Sequence, residues 1–270
     1  MLASKKQFIQ AVWSHYGQNA RSMPWRNAEP DGTFDPYKIL VSELMLQQTQ
    51  VERVIPKFNE FLVAFPTFKA LAGAPLEDVL KHWSGLGYNR RAKYLHDIAK
   101  SLTTSDFPQS IEELTTLKGI GHNTAAAVLV YSYNLPIAFV ETNVRTALLY
   151  HINDDVLIMN EKQFLSLAKE VMDRNNPREW HWALMDYGSH LKKSGVRNLS
   201  KAKIHKKQPG FDGSLRQIRG RILKELVKGP TDKNKITTLI NDTRLEPALA
   251  DLCKEGLLEL DPRGLYKIAG

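Results

Sequence analysis

The residues with the most chemical content lie in Leu117-Lys118-Gly119-Ile120-Gly121-His122-Asn123-Thr124-Ala125 and, further on, in Val140-Glu141-Thr142-Asn143-Val144. The first run predicts a helix, a tight Gly-Ile-Gly hairpin and a second helix opening at His122. Glycine lets the backbone turn sharply and approach another surface closely. The helix that follows offers amide N–H groups at its N-terminus, which suit a phosphate. A carboxylate, Glu141, arrives about a turn and a strand later. A phosphate cradle with an acid close by points to chemistry on DNA. A Gly-x-Gly alone carries little information, and its weight comes from its surroundings.

Composition agrees with a polyanionic partner. The chain has 270 residues and a formal net charge of +8, with 43% apolar residues. That length accommodates one large domain or two moderate ones. The charge fits nucleic acid or a generally basic, solvated surface. The single cysteine, Cys253, excludes an internal disulfide, a cysteine-based zinc site and a four-cysteine iron–sulfur cluster. It lies between Leu252 and Leu257 and reads as a buried structural thiol. The longest apolar run, Ala125 to Tyr133, is too short for a membrane span. The first residues lack the apolar stretch of a signal peptide. The expectation is an intracellular protein, nucleoid-associated in the cytoplasm if prokaryotic.

The elements that must position these residues are helical. Periodicity of about 3.6 dominates from Lys5 to about Leu191. Helices are expected from around Phe8, then over Tyr37–Gln47, Val51–Phe65, Leu76–Trp83, Arg91–Leu102 and Ile111–Thr116. Ala125–Tyr133 reads as a buried central helix, followed by Asn143–Leu149, Glu161–Val171 and Trp180–Leu191. Lys192, Lys193, Arg197, Lys201, Lys203, Lys206 and Lys207 then form a basic stretch without an acid. It is either a solvated connector or a DNA-backbone contact, the second favoured by what flanks it. Residues 208–213 read as a linker. From Ser214 the pattern gives three short helices and a hairpin, Gly256–Leu260 with Leu265–Ile268. That is the plan of a winged helix-turn-helix. Its third helix either meets DNA or packs on protein.

Several motifs in register resemble the helix-hairpin-helix DNA glycosylase superfamily, nearest its MutY-type adenine glycosylase branch. They are Pro24-Trp25-Arg26, Ser42-Glu43-Leu44-Met45-Leu46-Gln47-Gln48-Thr49-Gln50-Val51, Gly85-Leu86-Gly87-Tyr88, the Gly119 hairpin, Glu141-Thr142-Asn143-Val144 and Met185-Asp186-Tyr187-Gly188. The resemblance covers roughly Phe8 to Gly188. It implies a mostly α fold: a glycosylase domain of two helical subdomains over 1–207, the linker, and a winged-helix-like domain over 214–270.

The resemblance also implies roles. Glu43 takes the place of the general acid. Flanked by Leu44 and Leu46, its carboxyl would hold a proton near neutral pH, and a flipped-out adenine needs that proton on a ring nitrogen before it can leave. Glu141 stands where the family usually has aspartate. An ionised carboxylate there stabilises, or adds to, the positive charge that builds on the deoxyribose. The extra methylene changes its reach, and a helix N-cap is the plainer role. Asn143 positions the attacking water, holds Glu141, or caps. Asn123 occupies the position at which lyase members carry a Schiff-base lysine, so strand scission through that residue is not expected. Trp25, Arg26, Leu46 and Asn123 line the base pocket, with core packing the alternative for Trp25. Gln47, Gln48, Thr49 and Tyr88 form a wedge that fills the gap left by the extruded base. Lys118, Gly119, Ile120, Gly121, His122, Thr124, Lys206 and Lys207 hold backbone phosphates.

Two departures from the family are large. The four cysteines that commonly follow Met-Asp-x-Gly are missing, so no cofactor or metal is expected and packing alone should hold residues 192–207. The usual C-terminal domain that helps recognise 8-oxoguanine is replaced by the winged-helix-like unit. The expected partner is double-stranded DNA with a damaged or mismatched base, met by a monomer away from membranes. The expected reaction is excision of adenine opposite 8-oxoguanine or G. A uracil or thymine mismatch glycosylase and a non-catalytic DNA-binding regulator are the alternatives.

Overall fold

Polar caps set where the helices begin. The computed structural model describes residues 4–103, 106–152, 158–202 and 210–270, and these form fourteen α-helices. In chain order they are α1 (Lys5–Asn19), α2 (Pro36–Leu46), α3 (Val51–Ala64), α4 (Phe68–Gly73), α5 (Leu76–Trp83), α6 (Arg90–Ser101) and α7 (Ile111–Thr116). Then come α8 (His122–Tyr133), α9 (Thr142–Tyr150), α10 (Glu161–Val171), α11 (Pro177–Lys193), α12 (Leu215–Leu226), α13 (Lys233–Ile240) and α14 (Leu245–Lys254). The Ser4, Ser214 and Asp232 side chains accept from the third amides of α1, α12 and α13. Asn160 and Gln163 close a reciprocal capping box on α10. Helix α4 escaped the periodicity reading because six residues are too few to show a period; its signal is Thr67, which accepts from Ala70 N–H at 3.1 Å. No described helix is long and apolar enough to cross a membrane.

The chain divides into two compact units, Met1–Ile39 with Gln109–Thr116 and Ile120–Lys207, and Leu40–Pro108 with Leu117–Gly119 and Gln208–Gly270. In the first unit α11 packs on α9, α1 and α8. Phe8 and Val12 of α1, Val144, Ala147 and Leu148 of α9, and Trp180, Ala183 and Leu184 of α11 make its core. Helix α8 is buried from Ala125 to Ser132, as its unbroken apolar run foretold.

In the second unit α4 and α5 pack on α6, and α3 packs on α5. The C-terminal helices bury Ile218, Ile222, Leu223 and Leu226, Ile236 and Ile240, and Leu245, Leu249 and Leu252. Strands β1 (Leu258–Leu260) and β2 (Tyr266–Ile268) pair antiparallel, with Leu258 opposite Ile268. Helix α14 packs on α12 and β1. Cys253 is half-buried, and burial raises its thiol pKa.

The sequence reading sets residues 214–270 apart as a domain of their own. The contacts instead group this segment with Leu40–Pro108. The cause is long-range and therefore hidden in sequence. Glu255, at the end of α14, accepts from Arg90 of α6 and, at 2.5 Å, from Arg219 of α12. Burial opposes its ionisation, but the two guanidiniums outweigh that and hold the carboxyl below the ordinary glutamate range. The next residue, Gly256, has φ +68, and a Cβ there would lie 3.0 Å from the Lys93 side chain.

A buried arginine organises the rest of this unit. Arg91 Nη1 donates to the carbonyls of Leu44 (2.7 Å), Met45 (2.9 Å) and Gln47 (2.5 Å), and Nη2 to Gly87 O (2.9 Å), Leu86 O and Thr49 Oγ1. It caps the C-terminal end of α2 and ties the turn after α2 to the Gly85–Tyr88 loop. Burial lowers its pKa to about 10. Arg91→Leu strands these buried carbonyls and is expected to cost roughly 3 kcal/mol. A lower urea midpoint at unchanged denaturant slope checks this; an unchanged midpoint contradicts the role.

Candidate active site

The hairpin between α7 and α8 is built as the glycine pattern requires. Gly119 has φ +87, and a Cβ on it would meet the Tyr94 ring at 2.4 Å, so only glycine fits. Ile120 anchors the turn in the core, while Lys118, Gly119, Gly121 and His122 are exposed. Gly121 is the N-cap of α8 and brings no side chain to its first-turn amides. Together with the helix dipole, these amides form a site for an anion. Thr124 sits half-buried in the same turn.

Glu141 occupies the N-cap position of α9, but its side chain makes no capping hydrogen bond there. The carboxylate is thus not spent on the plainer role. Burial pushes its pKa above the ordinary value; Arg145 pulls it back, Glu161 adds to the rise and the Thr142 amide opposes it. Arg145 itself pairs with Glu161 at 2.8 Å. Asn123 Nδ2 donates to the Val140 carbonyl at 3.0 Å and so ties α8 to the residue preceding the acid. Asn143, in the first turn of α9, is half-buried, and its Oδ1 accepts from Lys192 Nζ at 3.1 Å.

Arg26 and Asp186 form a second cluster in the same unit. Arg26 Nη1 and Nη2 grip the Asp186 carboxylate at 2.8 and 2.9 Å, and Arg21 adds Nε at 2.7 Å and its amide at 3.0 Å. Burial works against ionisation of Asp186, yet the arginines hold its carboxyl below the ordinary aspartate range. Arg26 also lies over the Trp182 ring. Its terminal nitrogens are therefore committed within the protein, while Nε is buried without a partner. Trp25 is 5% exposed and belongs to the core.

The remaining candidates lie in the other unit. Glu43 is half-buried on α2, between buried Ser42 and Leu44. Leu46, Gln47 and Thr49 are half-buried and Gln48 is exposed. Four non-glycine residues among those described have positive φ: Asn134 and Asn241 end helices, and the others are Gln48 (φ 56) and Tyr88 (φ 49). Left-handed backbone is costly for such side chains and persists only where surroundings enforce it. Here Arg91 holds the flanking carbonyls, and Trp83 Nε1 donates to Gly87 O at 3.2 Å. The Tyr88 ring has Arg91 and Arg216 at 5.4 and 5.3 Å, and its hydroxyl accepts from Arg216. The two residues singled out as a wedge are thus the two held in enforced conformations.

Lys206 and Lys207 lie outside the described residues. Packing alone does not hold the segment before them. Asn198 Nδ2 donates to Thr146 O at 3.0 Å, Arg197 Nη1 to Lys192 O at 2.9 Å, and Met159 N–H to Lys201 O at 2.9 Å. Nothing in residues 192–207 can ligate iron through sulfur, and Cys253 stands alone on α14, so the chain does not fit the family's iron–sulfur cluster. Among the described residues no group of three or more His, Cys, Asp or Glu could hold a metal. A cleft of about 800 Å³ bordered by Glu29, Asp31, Phe34, Asp35, Ser132 and Arg178 contains none of the candidates. Sequence reasoning missed Arg91 and Lys192 as individual actors, since each acts on a residue more than forty positions away.

The raised pKa of Glu141 has a consequence for stability. A carboxyl whose folded pKa exceeds its unfolded value binds more protons when folded. Its stabilisation is complete below the unfolded value and is lost as pH rises through the folded one. Glu141→Gln is therefore expected to melt about 1–3 °C higher than the parent at neutral pH. The gap should close below about pH 4. Equal melting temperatures at both pH values would refute the burial argument.

Comparison with known proteins places the fold. The family described as "HhH-GPD superfamily base excision DNA repair protein" matches residues 41–174. An adenine DNA glycosylase of Mycolicibacterium smegmatis is 30% identical over 95% of this chain and 94% of its own length. An adenine DNA glycosylase of Buchnera aphidicola is 34% identical over 68% of this chain, which spans about half (51%) of that relative. Among solved structures, a thermostable thymine-DNA glycosylase superposes with a TM-score of 0.61 at 24% identity, covering 68% of this chain and 86% of that one. The chain belongs to the helix-hairpin-helix superfamily of base excision DNA repair proteins, in its adenine DNA glycosylase branch.

Proposed function

We propose that the protein is a monofunctional DNA glycosylase that hydrolyses the N-glycosidic bond of a flipped-out adenine opposite 8-oxoguanine or G. The observation that carries this reading is the free carboxylate of Glu141 at the start of α9, with Asn143 one turn in and Asn123 fixing the backbone before it. The near full-length similarity to an adenine DNA glycosylase supports adenine as the base. The likeness to a thymine-DNA glycosylase bears on the fold alone.

In this reading the hairpin amides and the N-terminus of α8 hold a phosphate of the duplex. Gln48 and Tyr88 enter the stack and fill the gap left by the extruded base. Glu43 donates a proton to a ring nitrogen of adenine, which makes the base a better leaving group. The C1′–N9 bond breaks and the deoxyribose gains oxocarbenium character. Glu141 stabilises that charge as carboxylate, Asn143 orients the water, and the water's oxygen bonds to C1′ while its proton passes to a base. Asn123 has no amine to form a Schiff base. We take the protein to work as a monomer on double-stranded DNA, in the nucleoid if the cell is prokaryotic.

The test is a panel of duplexes carrying A:8-oxoguanine, A:G, U:G, T:G and hypoxanthine, each treated with alkali after incubation. Adenine release is expected, with strand breaks only after alkali and no adduct trapped by borohydride. Glu43→Gln should slow single-turnover excision by about 10²–10⁴-fold with affinity nearly kept. Release of uracil or thymine alone would sink the adenine reading, and a trapped adduct would sink the monofunctional one.

A further inference from the structure

Two residues one helical turn apart on α11 form a socket for Asn143. Gly188 presents its bare Cα to the Asn143 backbone; a Cβ there would lie 2.0 Å from the Asn143 carbonyl oxygen and 2.6 Å from its carbon. Residues four apart share a helix face, and Lys192 reaches back from that same face to the Asn143 side chain, Nζ to Oδ1 at 3.1 Å. Gly188 fixes the backbone of Asn143 and Lys192 fixes its amide.

An ammonium can only donate. Its bond to Oδ1 therefore settles which way the amide points, and leaves the two Nδ2 hydrogens for the opposite side. The turn after α11 holds Lys192 in this role. Arg197 donates to the Lys192 carbonyl, Val196 N–H to Leu191 O at 3.0 Å, and Asn198 joins the turn to Thr146 on α9. Lys192 is half-buried, and burial with the nearby Arg197 charge lowers its pKa. This is not the setting of a lysine waiting for a phosphate in solvent.

We propose that Lys192 is a positioning residue for base excision: it locks the Asn143 side-chain amide as a hydrogen-bond donor at the start of α9, beside Glu141. The proposal rests on the glycosylase reading for Glu141 and Asn143. It also gives a function to a segment that carries lysine where the family resemblance implies cysteines.

The experiment uses the full chain under single-turnover conditions on an A:8-oxoguanine duplex, with affinity measured separately on a duplex containing a non-cleavable 2′-fluoro-adenosine. Lys192→Met should slow excision by about 10–100-fold while Kd and melting temperature stay unchanged. Lys192→Arg, which keeps a donor, should recover most of the rate. The double variant Lys192→Met with Asn143→Ala should be no slower than Asn143→Ala alone. A wild-type rate for Lys192→Met at saturation, with weaker binding and a salt slope flattened by about one unit, would overturn the proposal in favour of a phosphate contact. Additive losses in the double variant would also overturn it. Should the wild-type protein release no adenine, the functional reading fails, and the side-chain amide signals of Asn143 in a nitrogen–proton spectrum still decide the clamp. Their displacement in Lys192→Met supports it and their constancy overturns it.

Discussion

One buried guanidinium sets the geometry of the DNA-facing turns of its unit. Arg91 satisfies the carbonyls that end α2 and those of the Gly85–Tyr88 loop at once. A helix end leaves carbonyls without partners, and burying them unpaired is costly. A carboxylate neutralising Arg91 would pull it away from them. Its partners are instead neutral oxygens, arranged so that the flat, many-donor head can reach them together. With the carbonyls fixed, Gln48 and Tyr88 are held in left-handed backbone that neither would choose alone. Stored conformational free energy at these two residues thus depends on a side chain that itself makes no argument for DNA contact.

The acid is held by a different logic. Glu141 sits where a helix N-terminus favours a negative charge, and burial disfavours it. The balance leaves the carboxyl raised but within reach of Arg145. Around it, polar groups fix backbone rather than charge: Asn123 on Val140 O, Asn198 on Thr146 O, and the bare face of Gly188 against Asn143. A site that must hold reacting groups to a fraction of an ångström gains from such backbone anchoring, since each anchored residue has few other arrangements.

What the sequence disclosed and what it concealed divide by distance along the chain. The apolar run of α8, the Gly119 hairpin and the strand pair at the C-terminus depend on neighbours a few residues away, and each formed where expected. Glu43, Glu141 and Asn123 were named because they sit inside local motifs. Arg91 read as one more helix residue, because its partners lie up to 47 positions back. Arg26 was assigned to a base pocket, and nothing local told that Asp186, 160 positions on, takes its Nη atoms. The same holds for Glu255, whose ion pair with Arg90 joins the C-terminal segment to the unit of α6. Helix α4 was missed for the opposite reason, being too short for its period to register.

The substitution at position 123 shows how loss of one chemistry can serve another. A lysine amine there would be a nucleophile toward the sugar, and its reach would come from a long, freely rotating stem. The asparagine amide is not nucleophilic, and its short side chain has few rotamers to lose on ordering. It directs an N–H at the carbonyl of Val140, the residue immediately before Glu141. The position that carries out covalent chemistry in lyase relatives here becomes a fixed point for the carboxylate. A water-based reaction needs no attacking amine, but it does need the acid and the water held in register. An enzyme that leaves the nucleophile to solvent therefore places its rigid contacts behind the acid, and Asn123 is placed to do so.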